Sequence, residues 1–226
     1  MRSLLAPNLQ SLDDADLLRL YAYPPELVTP WIRANMVSSI DGSAAFHGKS
    51  KGLTNAADRR LFHLLRSLAD VVLIGAGSVR AEPYFNHTKQ VAVITRSGEL
   101  PSSFFTGRPP LVITAEALDA RVRAELSKVA EVVTCGRHEV EFDLVLELFA
   151  SRGWLKVLCE GGPSLLSQLN ASGLIDEVAL TISPLLIGSG TSMLQKGMET
   201  QSNFELASLV KAKGNLFARY LAVRNI

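Results

Sequence analysis

The sequence predicts an α/β fold: a single domain on a mixed, mostly parallel sheet, with helices on both faces and a C-terminal antiparallel hairpin. Short continuous apolar runs such as Val71-Val-Leu-Ile74 recur along the chain, as expected of strands buried on both faces. Helical patterns alternate with these runs, which is the signature of parallel strands joined by crossovers. Two strand-like runs near the C-terminus flank Lys211-Ala-Lys-Gly-Asn215, which reads as a hairpin turn.

Residues 1–30 read as a leader, with the folded domain over 31–226. Asp13, Asp14 and Asp16 surround a short helical pattern at 12–21, and Pro24-Pro25 stops it. Residues 31–39 alternate apolar and polar as a strand does, before Asp41-Gly42 turns the chain; residues 42–53 are small and polar and read as a loop. Thr54 is the expected cap of a helix over 55–69, whose Leu61, Leu64, Leu65 and Leu68 share one face. The apolar run 71–74 is a strand, and Gly75-Ala76-Gly77-Ser78 a glycine-rich turn after it. Strands follow at 91–95, 111–114, 131–134, 155–159 and 177–182, with helices at 116–130, 142–151 and 163–171. The terminal hairpin pairs 204–210 with 216–223, and 101–110 is the most loop-like internal stretch.

With 47% apolar and 20% charged residues, the 226-residue chain can bury a sizeable core, which excludes a disordered protein. A formal charge of +1 without a basic run gives no electrostatic support for nucleic acid. Cys135 and Cys159 stand apart in apolar surroundings, the pattern of buried thiols in a reducing compartment. No apolar run approaches the ~18 residues of a membrane span, so a cytoplasmic protein is expected.

The chemistry concentrates where strands end. In Val157-Leu-Cys-Glu-Gly-Gly-Pro-Ser-Leu-Leu-Ser167 a strand ends in Glu160, turns through Gly161-Gly162 and opens a helix at Pro163. Proline suits the first helical position, glycine lets a ligand approach the backbone, and the helix start offers bare N–H donors with partial positive charge. Phosphate or pyrophosphate fits such a turn, although an ordinary strand-to-helix connection has the same outline. Asp41-Gly42 and Gly75-Ala76-Gly77 also follow strands. Ligands of open α/β sheets bind beyond the strands' carboxyl ends, so three turns converging there point to a nucleotide-type site.

Around that rim, Thr95-Arg96-Ser97 suits a phosphate monoester such as a ribose 2′-phosphate, or is a solvated loop. Arg66 is placed to clamp an anion or to meet its own helix's last carbonyls. Asp41, Glu82 and Glu160 are the acidic candidates for proton or hydrogen-bond work, against the alternative of backbone caps. His47, His63, His87 and His138 show no metal-ligand spacing, so no metal is expected. The G-x-G-x-x-G fingerprint is absent, because Gly75-Ala-Gly77 continues Ser-Val-Arg80.

Together these pieces resemble the riboflavin-biosynthesis pyrimidine reductase family, whose fold is like that of dihydrofolate reductase. The matching stretches are Ser39-Ile-Asp-Gly42, Gly52-Leu-Thr54 with Asp58-Arg59, Ala69-Asp-Val-Val-Leu-Ile-Gly-Ala-Gly-Ser-Val-Arg80, Glu160-Gly-Gly-Pro-Ser-Leu165, Gly173-Leu-Ile-Asp-Glu177 and Ser183-Pro-Leu-Leu-Ile-Gly188. The resemblance implies an NADPH-dependent oxidoreductase that reduces the ribosyl group of 5-amino-6-(5-phosphoribosylamino)uracil at C1′ to the ribityl product. It implies that Val37 and Gly52, Leu53 and Thr54 border the nicotinamide and ribose, and that Gly75, Ala76, Gly77 and Ser78 meet the cofactor. Arg96 or Ser97 would take the 2′-phosphate, and Gly161, Gly162, Pro163, Ser164, Leu165 and Leu166 would cradle the pyrophosphate. Ser50, Arg66 and Glu82 would hold the substrate, Glu160 would approach its ribose chain, and Asp41 would lie near the reacting centre.

The chain departs from the family in two places. Ser43 stands where many members carry a cation, and Ala81-Glu82-Pro83 replaces Asp-Asp-Pro, ahead of a short substrate loop at 84–90. Residues 1–30 hold no zinc-deaminase motifs of the bifunctional members, so a stand-alone form is expected. The missing cation keeps open a dihydrofolate or pterin reductase of the same fold. A non-catalytic nucleotide-binding protein is the third reading. The hairpin edge and the resemblance together favour a homodimer.

Overall fold

The computed structural model describes residues 1–3, 11–82, 88–195, 197 and 200–224. Its elements, in chain order, are β1 (Arg2–Ser3), α1 (Asp14–Leu20), β2 (Trp31–Ser38), β3 (Ser43–Ala45), α2 (Ala56–Leu68), β4 (Val71–Gly75), α3 (Ala76–Ala81), β5 (Gln90–Ile94), β6 (Leu111–Thr114), α4 (Ala120–Leu126), β7 (Glu131–Thr134), α5 (Phe142–Ser151), β8 (Lys156–Cys159), α6 (Pro163–Ala171), β9 (Glu177–Ile182), β10 (Thr191–Ser192), β11 (Phe204–Ala212) and β12 (Asn215–Ala222). Among the described residues the main sheet has ten strands in the order β1-β11-β12-β9-β2-β8-β4-β5-β6-β7. From β9 to β7 every pairing is parallel, and β12, β11 and β1 extend the sheet antiparallel.

Alternation along each strand divides the core in two. Val71 and Leu73 of β4 join Val157 and Cys159 of β8 on the face covered by Val145 and Phe149 of α5 and Leu165, Leu166 and Leu169 of α6. Val72 and Ile74 point the other way, with Val91 and Val93, against Ala76 and Val79 of α3 and Leu126 of α4. Further along that second face, Leu61, Leu64 and Leu65 of α2 pack with Leu17 of α1 over Leu158, Ala179 and Phe217. The helical stretch expected within residues 12–21 is therefore α1, seated on the sheet by Leu17 and capped by Asp13, whose side chain accepts from the Asp16 amide.

Several local expectations are corrected. Asn55, not Thr54, caps α2: its side-chain oxygen accepts from the Ala57 and Asp58 amides. Gly75-Ala76-Gly77-Ser78 is not a turn, because α3 begins at Ala76 with Gly75 as its cap. The helix expected at 116–130 is only Ala120–Leu126, since the Glu116 and Ala117 amides bond across to the carbonyls of Gly136 and Arg137 and Asp119 caps the helix. Residues 42–53 are not a plain loop; they contain β3 and a 3₁₀ turn at Ser50–Gly52. The loop at 101–110 also carries a 3₁₀ turn, whose Phe104 is fully buried. The hairpin is tighter than expected, its strands meeting at Lys213 and Gly214, both with positive φ, as a two-residue turn of the primed type requires. Pro83 and most of the expected substrate loop at 84–90, with His87, lie outside the described residues.

Where the parallel part of the sheet meets the antiparallel part, Glu177 of β9 receives two arginines. Arg33 of β2 donates at 2.7 and 3.0 Å and Arg219 of β12 at 2.8 and 3.1 Å. Arg33 and Glu177 are fully buried, and the Tyr23 ring lies 3.9 Å from the Arg33 guanidinium. Removing one member of a buried ion pair strands the other charge. Glu177→Gln should therefore lower the unfolding free energy by about 3–5 kcal/mol in urea denaturation. A loss below ~1 kcal/mol would show the two arginines to be adequately solvated without it.

Candidate active site

Two connections leave adjacent parallel strands toward opposite faces of the sheet. From β4 the chain enters α3, and from β8 it passes through Gly161-Gly162 into α6. Their backbones touch: the Gly75 amide donates to the Gly161 carbonyl at 2.8 Å, and the Glu160 amide to Leu73 at 2.9 Å. Gly161 has φ +75°, which favours glycine, and the Gly161–Gly162 peptide is cis. A Cβ on Gly162 would lie 2.5 Å from Ser78 Oγ, so a side chain there would fill the space between the two helix starts. Gly162 offers α6 no side-chain cap and Pro163 occupies its first turn, leaving the backbone N–H groups beyond it facing a cavity of about 650 Å³. Gly75, Gly77, Ser78, Gly162, Pro163, Ser164 and Leu165 all line that cavity.

The floor is the carboxyl end of β2, with Asn35, Met36 and Val37. One wall is α2, where Asp58, Phe62 and Arg66, spaced by four residues, present one helical face, with Arg59 beside them. Arg66 donates to both carboxylate oxygens of Glu160 at 2.7 Å, and its guanidinium lies 4.3 Å from the Phe62 ring centroid. Bidentate pairing of this kind fixes orientation as well as charge. The opposite wall joins the 3₁₀ turn to α3: the Ser50 amide donates to Glu82 Oε1 at 2.5 Å. Burial pushes the Asp58 carboxyl above its ordinary range, opposed by a hydrogen bond from the Thr181 hydroxyl and by the charge of Arg59.

A small second sheet roofs the cavity. β3 pairs antiparallel with β10, setting Ala45 opposite Thr191, and Ala44, Ala45 and Thr191 face inward. Ser43 does not line the cavity; it is buried, its amide donating to Ser39 Oγ at 2.9 Å. Asp41 fastens the segment leading into this roof. It accepts from Ser39 Oγ at 2.5 Å and from the amides of Ile187 and Gly188 at 3.1 and 2.7 Å. Those three donors, Ser39 first, hold its carboxyl down to about 2.

The structure thus brings together, of the residues expected from sequence, Val37, Ser50, Thr54, Arg66, Gly75, Gly77, Ser78, Glu82, Glu160, Gly162, Pro163, Ser164 and Leu165. Asp41, Gly52, Leu53, Ala76, Gly161 and Leu166 are neighbours in the chain that do not line the cavity. Arg96 and Ser97 stand exposed beyond the end of β5, the strand beside β4, at the rim of the same edge. Asn35, Met36, Phe62 and Thr191 were not singled out from sequence; Asp58 and Arg59 entered only as part of a motif. The four-residue spacing Asp58, Phe62, Arg66 was the available signal. Among the described residues no group of three His, Cys, Asp or Glu could hold a metal, and no helix is long and apolar enough to cross a membrane.

Comparison with known proteins bears on the family and the fold. The family model described as the RibD C-terminal domain matches residues 30–216. The 2,5-diamino-6-ribosylamino-4(3H)-pyrimidinone 5′-phosphate reductase of Methanothermobacter thermautotrophicus is 30% identical over 172 residues, covering 70% of this chain and 80% of that one. The riboflavin biosynthesis protein RibD of Mycobacterium tuberculosis is 27% identical over 76% of this chain, which spans 47% of that protein. Among solved structures, a pyrimidine reductase-like protein from Corynebacterium diphtheriae superposes with a TM-score of 0.77 at 24% identity, over 92% of this chain and 99% of that one.

The lowered Asp41 carboxyl has a pH consequence. A depressed folded-state value means that its stabilisation is present above the ordinary carboxylate range, about 4, and is lost as pH falls through about 2. Asp41→Asn should melt below the wild type at pH 7, and the gap should close between pH 4 and 2. A gap that persists at pH 2 would show the side chain acting by shape and not by charge.

Proposed function

Because this chain belongs to the RibD C-terminal domain family, we propose that it is an NADPH-dependent reductase of riboflavin biosynthesis, converting a phosphorylated ribosylaminopyrimidine into its ribitylamino product. The observation that carries this reading is the bare start of α6 beside the Gly162–Ser78 gap, facing the Arg66–Glu160 pair across one cavity. The residues present suit a dinucleotide. Amides at the α6 start would meet its diphosphate, Gly77 and Ser78 would lie along it, and Val37 and Thr54 would border the nicotinamide end. Arg96, with Ser97, is the cation at the rim suited to a 2′-phosphate. NADPH, when bound, supplies a hydride for C1′ of the opened ribose.

The chain's own residues would then orient the substrate. Arg59 and Arg66 give the α2 wall positive charge suited to a phosphate. Glu160, oriented by Arg66, would accept from hydroxyls of the ribose chain, and Glu82, tied to the Ser50 amide, would close the other side. The β3–β10 roof would shield these contacts from solvent, which would strengthen each of them. Ser43 is buried in β3 and is not among the residues lining the cavity, and no observation favours a pterin over the ribosylated pyrimidine. We further propose a homodimer in the cytoplasm, on the strength of the hairpin edge, which β1 covers only at Lys211 and Val210, and of described residues without a helix long and apolar enough to cross a membrane.

Steady-state NADPH oxidation with the phosphorylated pyrimidine is the test. Turnover is expected; an inert pyrimidine alongside reduced dihydrofolate would overturn the proposal. Arg96→Ala should weaken NADPH more than NADH by about 1.5–3 kcal/mol, the scale of a charged hydrogen bond. Equal weakening of both would remove the arginine from the 2′-phosphate.

A further inference from the structure

We propose that Asp58 reads the base of the substrate. It would select a pyrimidine presenting two adjacent N–H donors, as a 2-aminopyrimidin-4-one does through N3–H and its 2-amino group, over the corresponding uracil. This rests on the reductase reading for the class of substrate and adds to it a specificity-determining residue.

Three carboxylates line the cavity among the described residues, and two are committed elsewhere. Glu160 takes the two-pronged pair from Arg66, and Glu82 holds the Ser50 amide. Asp58 lies half-buried in the cavity wall, and an ionised carboxylate has room for several donors. It sits in the first turn of α2, at the far end of that wall from the Arg66–Glu160 pair. Arg66 and Glu160 stand at the β8 end. Asp58 and Arg66 are eight residues apart on one helical face, which separates their backbones by about 12 Å. A base at one end and the phosphorylated chain at the other would occupy that span, with Phe62 as the apolar wall between.

The hydrogen-bond patterns decide between the two bases. A carboxylate offers two acceptors side by side, matching two neighbouring N–H groups as it matches a guanidinium. In uracil the 2-position is a carbonyl, so one carboxylate oxygen would face another acceptor in a partly buried site. A site built for a donor rejects an analogue that lacks it. Burial already disfavours the Asp58 charge, so the two-donor ligand also compensates that cost.

The experiment is calorimetric binding of the two ribitylamino phosphates, diaminopyrimidinone and uracil, to the full-length wild type, Asp58→Asn and Asp58→Ser. The wild type should bind the diaminopyrimidinone at least about tenfold more tightly. Asparagine places one acceptor beside one donor, the complement of N3–H and C2=O, so Asp58→Asn should reverse the order. Asp58→Ser, which keeps neither pair, should bind both alike. An unchanged ratio in both variants, or a wild type that prefers uracil, overturns the assignment. Discrimination as expected without NADPH turnover would sink the reductase reading and leave Asp58 in place. Turnover of both bases with no dependence on residue 58 would do the reverse, and failure of both bases to bind would remove both.

Discussion

One backbone contact sets the geometry on which the rest depends: the Gly75 amide bonded to the Gly161 carbonyl, where two parallel strands end side by side. Each strand sends its chain to a different face of the sheet, α3 to one and α6 to the other. The contact holds the two helix starts together over a shared opening. Side chains at Gly161 or Gly162 would intrude, the first on Met36 and the second on Ser78. Small residues here keep peptide N–H groups accessible to an anion, a role no side chain could fill at that distance.

Around that fixed point the cavity is polarised. Arg66 and the α6 amides gather at the β8 end, while Asp58, with Arg59 beside it, stands about two helical turns away on α2. A ligand with phosphates and a donor-bearing ring suits such a division, whereas a uniformly apolar or uniformly charged molecule does not. The roof of β3 and β10 is held by Asp41, whose three donors make it a structural anchor. Gly190 contributes by absence, because a Cβ there would lie 2.6 Å from the Ala45 carbonyl and hold β10 away from β3.

Much of this was legible in the sequence because it follows local rules. Buried parallel strands read as apolar runs, Pro163 announced α6, and the turn after β8 declared itself through glycine. What escaped was set by tertiary partners. Asn55 displaced Thr54 as the α2 cap because its side chain reaches two amides, which depends on backbone angles one residue along. The 116–119 stretch had helical composition, yet its amides found carbonyls across the chain at 136 and 137. Asp41 carried the look of a functional carboxylate, but two of its three donors come from a segment nearly 150 residues on, beyond the reach of any spacing argument. Asp58 was visible only as part of a motif; its place on the cavity wall depends on how α2 packs against the sheet.

The most direct measurement is a crystal structure of the protein soaked with NADP⁺. The diphosphate should lie within hydrogen-bond distance of the backbone nitrogens of Ser164 and Leu165, between Ser78 and the start of α6. A dinucleotide bound away from the Gly75–Gly161 junction, or density for none at saturating concentration, would contradict the account.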